Sequence, residues 1–320
     1  MEALALLAAD RINGVFVDVS NSIQAVGKEY QLLAESTQPS LTKSEKEAWV
    51  ARGMTKGPVT VFRTWAADAS TPKFEADFAG LYNLSEQSLS DKRISQLQRF
   101  EQLIPVFRTA YESFDFSWVY LTTTDNMLLI YPFMTPKDAA NTVPPTEKVF
   151  YKCADFKGRK VGWSQPYLDL AGAGMMVTAS YPIYSQDKLL GVASRDITLQ
   201  QLANSVLDHL VRGGVQSAFI ISKQGRVIDA SDAKLKNEIA NVSSGAKNAH
   251  LYYRSKKKLP ENGINSQYDW VNQLTDEVIS RTKLRSASGF DTFKMDERQV
   301  LTAEIESTGW FVVLVLPHSR

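Results

Sequence analysis

The sequence holds one cysteine, Cys153, and three histidines, His209, His250 and His318. A single thiol excludes an internal disulfide and any cysteine-based metal centre, and histidines so far apart show no metal-ligand spacing. No histidine neighbours Cys153 in the chain, so it reads as a small packing residue. No apolar run approaches the roughly 18 residues that cross a membrane. The apolar stretch at 4–9 is too short, and Glu2 stands where a signal peptide carries positive charge. An excess of either charge is also missing: 36 Lys and Arg against 35 Asp and Glu leave a net +1, which gives no basic stripe for nucleic acid. The dense basic cluster Lys256-Lys257-Lys258 reads as a solvated turn. Catalytic signatures are lacking too: there is no GxSxG, HExxH, P-loop or GxGxxG. Gly172-Ala173-Gly174 is a turn without the Lys-Ser/Thr that a phosphate cradle needs. These absences point away from an enzyme, a metal site and a bound cofactor.

What is present is ordinary globular composition, 44% hydrophobic and 22% charged over 320 residues, a length that suggests two folded units. From 12 to 33 the apolar residues Ile12, Val15, Phe16, Val19, Ile23, Val26, Tyr30 and Leu33 recur at three-and-four spacing, a seam on a long helix. Such a seam packs either on its own domain or on a second copy. Gly14 and Gly27 weaken the helix slightly. Residues 38–89 are broken by Pro39, Gly53, Gly57, Pro58 and Pro72, with helix fragments expected at 44–52 and 59–67. A helix is expected over 89–114, kinked or restarted at Pro105.

A hairpin is predicted over 118–133, turning at Asp125-Asn126. Residues 135–146 form a loop, followed by a short helix or extended piece at 147–155. A second hairpin pairs 175–184 with 189–197, and Pro182 requires an edge position or a bulge. Thr198 and Gln201 make a capping box for the helix that follows. Asp196, two residues before that helix, is therefore not needed as its cap. Gly213-Gly214 separates a second unit, with a strand pair turning at Lys223-Gln224-Gly225, a helix over 271–284, and strands at 289–294, 299–305 and 310–316. Each half offers a hairpin, an excursion and further strands, an α+β pattern with an antiparallel sheet.

The first unit also assembles the residues of a small-molecule pocket. Phe150, Tyr151, Trp163 and Tyr167 supply aromatic walls, and Asp169 and Asp196 supply anions. Two buried carboxylates repel each other and lose solvation, costs that a ligand ammonium relieves, with cation–π attraction added by the rings. Competing structural roles exist for several of these: the aromatics can cover a sheet edge, Asp169 can close its own turn, and Lys148 can be a solvated lysine.

Three motifs in this stretch, G-W-S-x-P-Y-x-D from Gly162, M-V-T-x-S-x-P-I-Y from Met176 and L-x-G-V-x-x-x-D-I-T-L from Leu189, resemble the double Cache family. Thr308-Gly309-Trp310, followed by an apolar strand to Pro317, is similar to the close of that family's second subdomain. The family comprises tandem PAS-like (PDC-type) sensor domains that stand outside the membrane in prokaryotic receptors, and the resemblance covers residues 114–320. It implies a long N-terminal helix (1–40), a membrane-distal PAS-like unit with a helical insertion (41–212) and a membrane-proximal one (213–320). The expected function is the extracytoplasmic ligand-binding part of a transmembrane receptor of histidine-kinase or chemoreceptor type. The resemblance further implies a spanning helix before Met1 and another after Arg320, and a homodimer through the N-terminal helix.

In amino-acid-sensing members of that family, an Arg-x-Trp-Tyr run holds the ligand carboxylate. A Tyr-x-Asp and a strand-end Asp hold its ammonium. The matching positions here are Lys148-Val149-Phe150-Tyr151, then Tyr167-Leu168-Asp169, then Asp196. Lysine does not reproduce a bidentate guanidinium clamp, which counts against an ordinary α-amino acid and leaves an amine, a quaternary ammonium compound or an unrelated metabolite equally open; the ligand expected is a small molecule of the amine or amino-acid-like class. Two other readings of the residues are a ligand-free module dimerising through the 12–33 seam and a hydrolase using Asp169 and Asp196.

Overall fold

A computed structural model of the chain describes residues 2–37, 40–57, 59–64, 78–84, 89–113, 118–134, 144–168, 175–202, 206–244, 250–251, 263–281 and 289–317. The first helix, α1 (Glu2–Glu35), follows the predicted seam. Ile12, Phe16, Val19, Ile23 and Val26 are fully buried and Tyr30 nearly so. The seam is thus covered by the chain itself, which speaks against it as the contact surface of a ligand-free dimer. Gly27 does more than weaken the helix: a Cβ there would stand 2.6 Å from Tyr181 Cδ1, so its absence permits a close approach of helix to strand.

The stretch after α1 corrects one expectation. Helix α2 (Lys43–Arg52) forms as predicted, opened by a capping box in which Glu45 N donates to Thr42 Oγ1 and Thr42 N to Glu45 Oε2. The second expected helix fragment is instead a strand. β1 (Gly53–Lys56) turns at Gly57, with φ +59°, into β2 (Val59–Phe62). Val-Thr-Val-Phe is β-branched and aromatic, and it pays off on a pleated, half-buried surface: Val59, Val61 and Phe62 are buried against the sheet. With β3 (Gly80–Asn83) these strands extend the first sheet, so among the described residues α2 is followed by strands and not by a second helix. Residues 65–67 of the predicted fragment lie outside the described residues.

Helix α3 (Asp91–Glu112) runs unbroken through Pro105. The expected restart does not occur because Pro105 lies on the exposed side, where the lost backbone bond costs no buried partner. β4 (Val119–Thr123) and β5 (Met127–Tyr131) form the predicted hairpin, with Asn126 at φ +62°. After the short helix α4 (Val149–Lys152) come β6 (Gly162–Trp163), β7 (Tyr167–Leu168), β8 (Met175–Ser185) and β9 (Lys188–Thr198). The sheet order is β1-β2-β3-β5-β4-β9-β8-β6, with β7 on β8. On its β6 side, β8 is paired at Ala179 and Ser180, so Pro182 lies beyond that pairing, as its missing N–H requires.

Two short helices, α5 (Leu199–Leu202) and α6 (Asp208–Arg212), lead to the second sheet. Its antiparallel order is β11-β10-β16-β15-β14, from β10 (Ser217–Ile221), β11 (Val227–Ala230), β14 (Phe290–Met295), β15 (Arg298–Ile305) and β16 (Trp310–Val315). Helices α7 (Ala233–Ser244) and α8 (Asp269–Ser280) cover it, with Leu235, Ile239, Val271 and Leu274 packed on Phe219 and Phe311. A two-stranded parallel pair, β12 (His250–Leu251) and β13 (Gly263–Ile264), lies between the two helices in the chain. The chain divides into two compact units, one of residues 19–164 and 178–196, the other of 1–18, 165–177 and 197–320. In the latter, Phe16 meets Trp310 edge-on at 5.4 Å.

Candidate ligand-binding site

Strand alternation builds the site. Along β9, Ser194 and Asp196 project to one face, and along β8, Thr178 and Ser180 project to the same side. All four are buried, with 0–3% of their surface exposed. Asp196 Oδ1 accepts from Thr178 Oγ1 at 2.6 Å and from Tyr120 Oη at 3.0 Å. Tyr120 reaches it because β4 pairs antiparallel with β9, Tyr120 opposite Ser194, and because Asp196 N donates to Trp118 O. Ser180 and Ser194 share a hydroxyl hydrogen bond of 2.9 Å, and Ser180 Oγ donates to Phe150 O at 2.5 Å. Ser164 Oγ accepts from Thr178 N at 2.8 Å. The result is a hydroxyl-lined floor around one carboxylate.

The aromatic wall stands on α4. Phe150 meets Tyr120 edge-on, with centroids 5.0 Å apart. Tyr151 packs with Ala154 and Val192, flanked by Phe156, and burial raises its phenol pKa. Burial likewise pushes the Cys153 thiol up to about 11, so it stays protonated and unreactive. Its Sγ lies 3.4 Å from Phe150 O, consistent with a packing residue.

Lys148 occupies the N-cap position of α4, where its carbonyl accepts from Tyr151 N and Lys152 N. Burial lowers its ammonium pKa, and among the described residues its ammonium meets no carboxylate within ion-pairing distance. A half-buried ammonium without a counter-ion is suited to a ligand anion.

Of the residues singled out in the sequence, Phe150 and Asp196 meet around Tyr120, with Tyr151 on the same short helix as Phe150. Trp163 is half-buried on β6 opposite Ala179. Tyr167 belongs to the other compact unit, and Asp169 lies outside the described residues. Sequence reasoning missed Tyr120, Thr178, Ser180 and Ser194. The available signal was polar residues two apart inside otherwise apolar strands, Thr178/Ser180 and Ser194/Asp196, a pattern that buries hydroxyls on one face.

Residues 91–204 match the family model of the methyl-accepting chemotaxis protein-like first PDC sensor domain. The chain is similar to the methyl-accepting chemotaxis protein McpC of Bacillus subtilis (strain 168), 34% identical over 87 residues, which cover 27% of this chain and 13% of that protein. It is also similar to the methyl-accepting chemotaxis protein PscA of Pseudomonas syringae pv. tomato, 26% identical over 161 residues, 47% of this chain and 25% of that protein. The matched stretches thus span a quarter or less of these relatives. Among solved structures, the ligand-binding domain of the Pseudomonas aeruginosa PAO1 amino-acid chemoreceptor PctC, in complex with GABA, aligns over 98% of this chain and 97% of its own at a TM-score of 0.52 and 15% identity. At that identity the likeness is one of fold. Residues 91–204 thus match the first PDC sensor domain of chemotaxis proteins, and the chain as a whole, with its two antiparallel sheets and long first helix, shares the α+β fold of the PctC ligand-binding domain.

Proposed function

We propose that this chain is the extracytoplasmic sensor of a transmembrane chemoreceptor and binds an amine or amino-acid-like metabolite in a membrane-distal unit (41–212), which a membrane-proximal one (213–320) follows in the chain. The observation that carries the ligand assignment is Asp196, a carboxylate 3% exposed and oriented by the hydroxyls of Tyr120 and Thr178. A buried carboxylate of this kind suits an ammonium, with Phe150 and Tyr151 on the adjacent helix α4 as aromatic groups, which supports the reading. Lys148 adds a cation for a carboxylate, which favours a zwitterion over a simple amine. Trp163, on β6 of the same compact unit, is a further candidate, while Tyr167 and Asp169 stay candidates on the strength of the sequence resemblance alone. Self-association of the full receptor through α1 is part of the proposal, on the side that carries Leu7, Val17 and Leu32, which are 38–62% exposed.

The test is a thermal-shift screen of the purified chain against amino acids, GABA, primary amines, quaternary ammonium compounds and organic acids, followed by calorimetry on each hit. Saturation near a hundred times the dissociation constant stabilises by about 2.7 kcal/mol. Asp196→Asn is expected to weaken an amine-bearing hit about a hundredfold, in the range of a lost charge-assisted bond in a buried site. Lys148→Met is expected to weaken zwitterions and leave simple amines unchanged. Unchanged affinity in Asp196→Asn would refute the pocket.

A further inference from the structure

The helix that carries the aromatic wall, α4, is a single turn, too short to be stable by itself. Its place is therefore set by what it packs on. Tyr151 N and Lys152 N donate to Lys148 O at 3.1 Å, and Cys153 N donates to Val149 O at 3.0 Å. The donor that a longer helix would aim at Phe150 O, Ala154 N, goes instead to Tyr151 O at 3.4 Å. Phe150 O is thus one of the carbonyls that a helix end leaves to outside partners. Strand β8 supplies the strongest of them, the Ser180 hydroxyl, which donates at 2.5 Å. The Cys153 thiol adds a longer contact of 3.4 Å.

The direction of these bonds follows from counting protons. A carbonyl only accepts, and a hydroxyl carries one proton, so the Ser180 proton points at Phe150 O. In the 2.9 Å contact between the two serines, Ser194 is then the donor. The order runs from Ser194 to Ser180 to Phe150 O, with Ser180 0% and Ser194 1% exposed. Linked bonds of this kind polarise one another, and a buried carbonyl stripped of its donor is costly. The same two strands carry Thr178 and Asp196, joined at 2.6 Å. The bond that orients the Asp196 carboxylate and the bonds that hold α4 therefore lie two residues apart on one face of the sheet. The Phe150 ring also stands edge-on to Tyr120, whose hydroxyl reaches Asp196.

We infer that Ser180 is a positioning residue of the ligand site: its hydroxyl, turned by Ser194, latches α4, and with it Lys148, Phe150 and Tyr151, onto the floor that holds Asp196. The latch rests on the order of the hydrogen bonds, and its service to a ligand rests on the proposed function. Cys153, the one cysteine of the chain, is the reporter. With α4 seated its thiol is buried, its pKa pushed up to about 11, and it barely reacts; it is alkylated when α4 lifts. The experiment measures the rate of iodoacetamide alkylation of the full chain, of Ser180→Ala and of Ser194→Ala, without urea and at low urea, where a rate indifferent to urea reports local opening. Ser180→Ala should react about fivefold faster, the effect of one neutral hydrogen bond. Ser194→Ala keeps the Ser180 donor and should fall between that variant and the parent. Equal rates, or a faster Ser194→Ala, would overturn the latch, and so would an increase that climbs with urea as global unfolding does. Where Ser180→Ala does not fold, Ser194→Ala decides against the parent, an unchanged rate being the refutation. The same rates are then read in GABA and in putrescine, each also followed by thermal melts. A compound that raises the melting temperature should slow alkylation of the parent, because it is held against α4; one that raises it and leaves alkylation unchanged removes α4 from the site. If neither compound shifts the melt, or if Asp196→Asn binds as the parent does, the ligand reading fails, while the ligand-free rates still decide the latch.

Discussion

Arg195 and Asp196 are consecutive residues of β9 whose charges serve opposite faces of one sheet. Asp196 turns toward the hydroxyls of Tyr120 and Thr178. Arg195, fully buried, turns toward the helices: its guanidinium donates to Ser22 Oγ of α1 at 3.0 Å, to Ala110 O, and to Tyr111 O at 3.3 Å, the last two in the final turn of α3. Those carbonyls belong to the group that an α-helix leaves without internal partners, and a cation there also suits the helix dipole. Burial lowers the guanidinium pKa to about 10, opposed by the neighbouring Asp196 carboxylate, so Arg195 remains charged at neutral pH.

Replacing Arg195 by Met keeps much of the side chain's length but removes every donor. Leaving buried acceptors unsatisfied costs about 1–3 kcal/mol each, so Arg195→Met is expected to lower unfolding free energy by about 3 kcal/mol or more. Arg195→Lys should recover only part of it, because one ammonium does not reproduce the planar fork that serves three acceptors. Urea denaturation of the three proteins decides the matter: equal midpoints would show that α1, α3 and β9 hold together without this hub.

The two hydroxyls on Asp196 Oδ1 should behave as a coupled pair. Tyr120→Phe and Thr178→Val each delete one donor to a charged acceptor, worth about 1.5–3 kcal/mol singly. Because they share one oxygen, the double variant should depart from the sum of the singles by about 0.5 kcal/mol or more. Strict additivity in the four-protein cycle would mean that the oxygen does not hold both bonds at once.

Why Asp196 was legible and Tyr120 was not follows from the range of the signals involved. Asp196 stands out because Thr198 already heads the following helix, a pattern contained within a few residues. Tyr120 meets Asp196 across 76 positions of sequence, through a β4–β9 pairing that no local pattern specifies. The hairpins β4–β5 and β8–β9 and the seam of α1 were equally readable, since each combines a clear period with turn residues at its end. Val59–Phe62 was misread because a four-residue strand is too short to display a period. Its identity comes from the partners, β1 and β3, on which it pairs.

Gly27 offers a test in which two effects oppose each other. In a helix interior, alanine is better than glycine by up to about 1 kcal/mol. Here the added Cβ would lie 2.6 Å from Tyr181 Cδ1 and 3.2 Å from Ile183 Cγ1, and forcing extra volume into a packed site costs about 1–3 kcal/mol. Overpacking outweighs propensity, so Gly27→Ala is expected to lower the melting temperature. Gly14, with nothing within 4 Å of its would-be Cβ, is the control: Gly14→Ala should raise it. A rise in both variants would mean that α1 and β8 separate readily at Gly27.

Asp229 predicts a pH dependence that belongs to one residue. It lies on β11, 4% exposed; Oδ1 accepts from Ala230 N at 2.8 Å, and Oδ2 has no hydrogen-bond partner among the described residues. Burial, aided by the charge of Asp208, pushes its pKa from 3.8 up to about 8, against the Ala230 amide and the Lys236 ammonium, which act in the other direction. Lys236 is itself paired with Asp208 at 3.3 Å. Below about pH 4 both folded and unfolded chains carry the Asp229 proton, and the favourable contribution is complete. Between about 4 and 8 the folded chain keeps the proton while the unfolded chain has released it. Stability therefore falls as pH rises through this window, by roughly 1 kcal/mol per pH unit, and levels off above it. Asp229→Asn cannot ionise and lacks this slope. Urea unfolding of both proteins at several pH values between 4.5 and 9 should show the variant gaining steadily on the parent up to about pH 8 and then keeping a constant lead. A difference that does not change with pH would mean that the Asp229 carboxyl is ionised in the folded chain, and that the buried Oδ2 has found a partner to hold its charge.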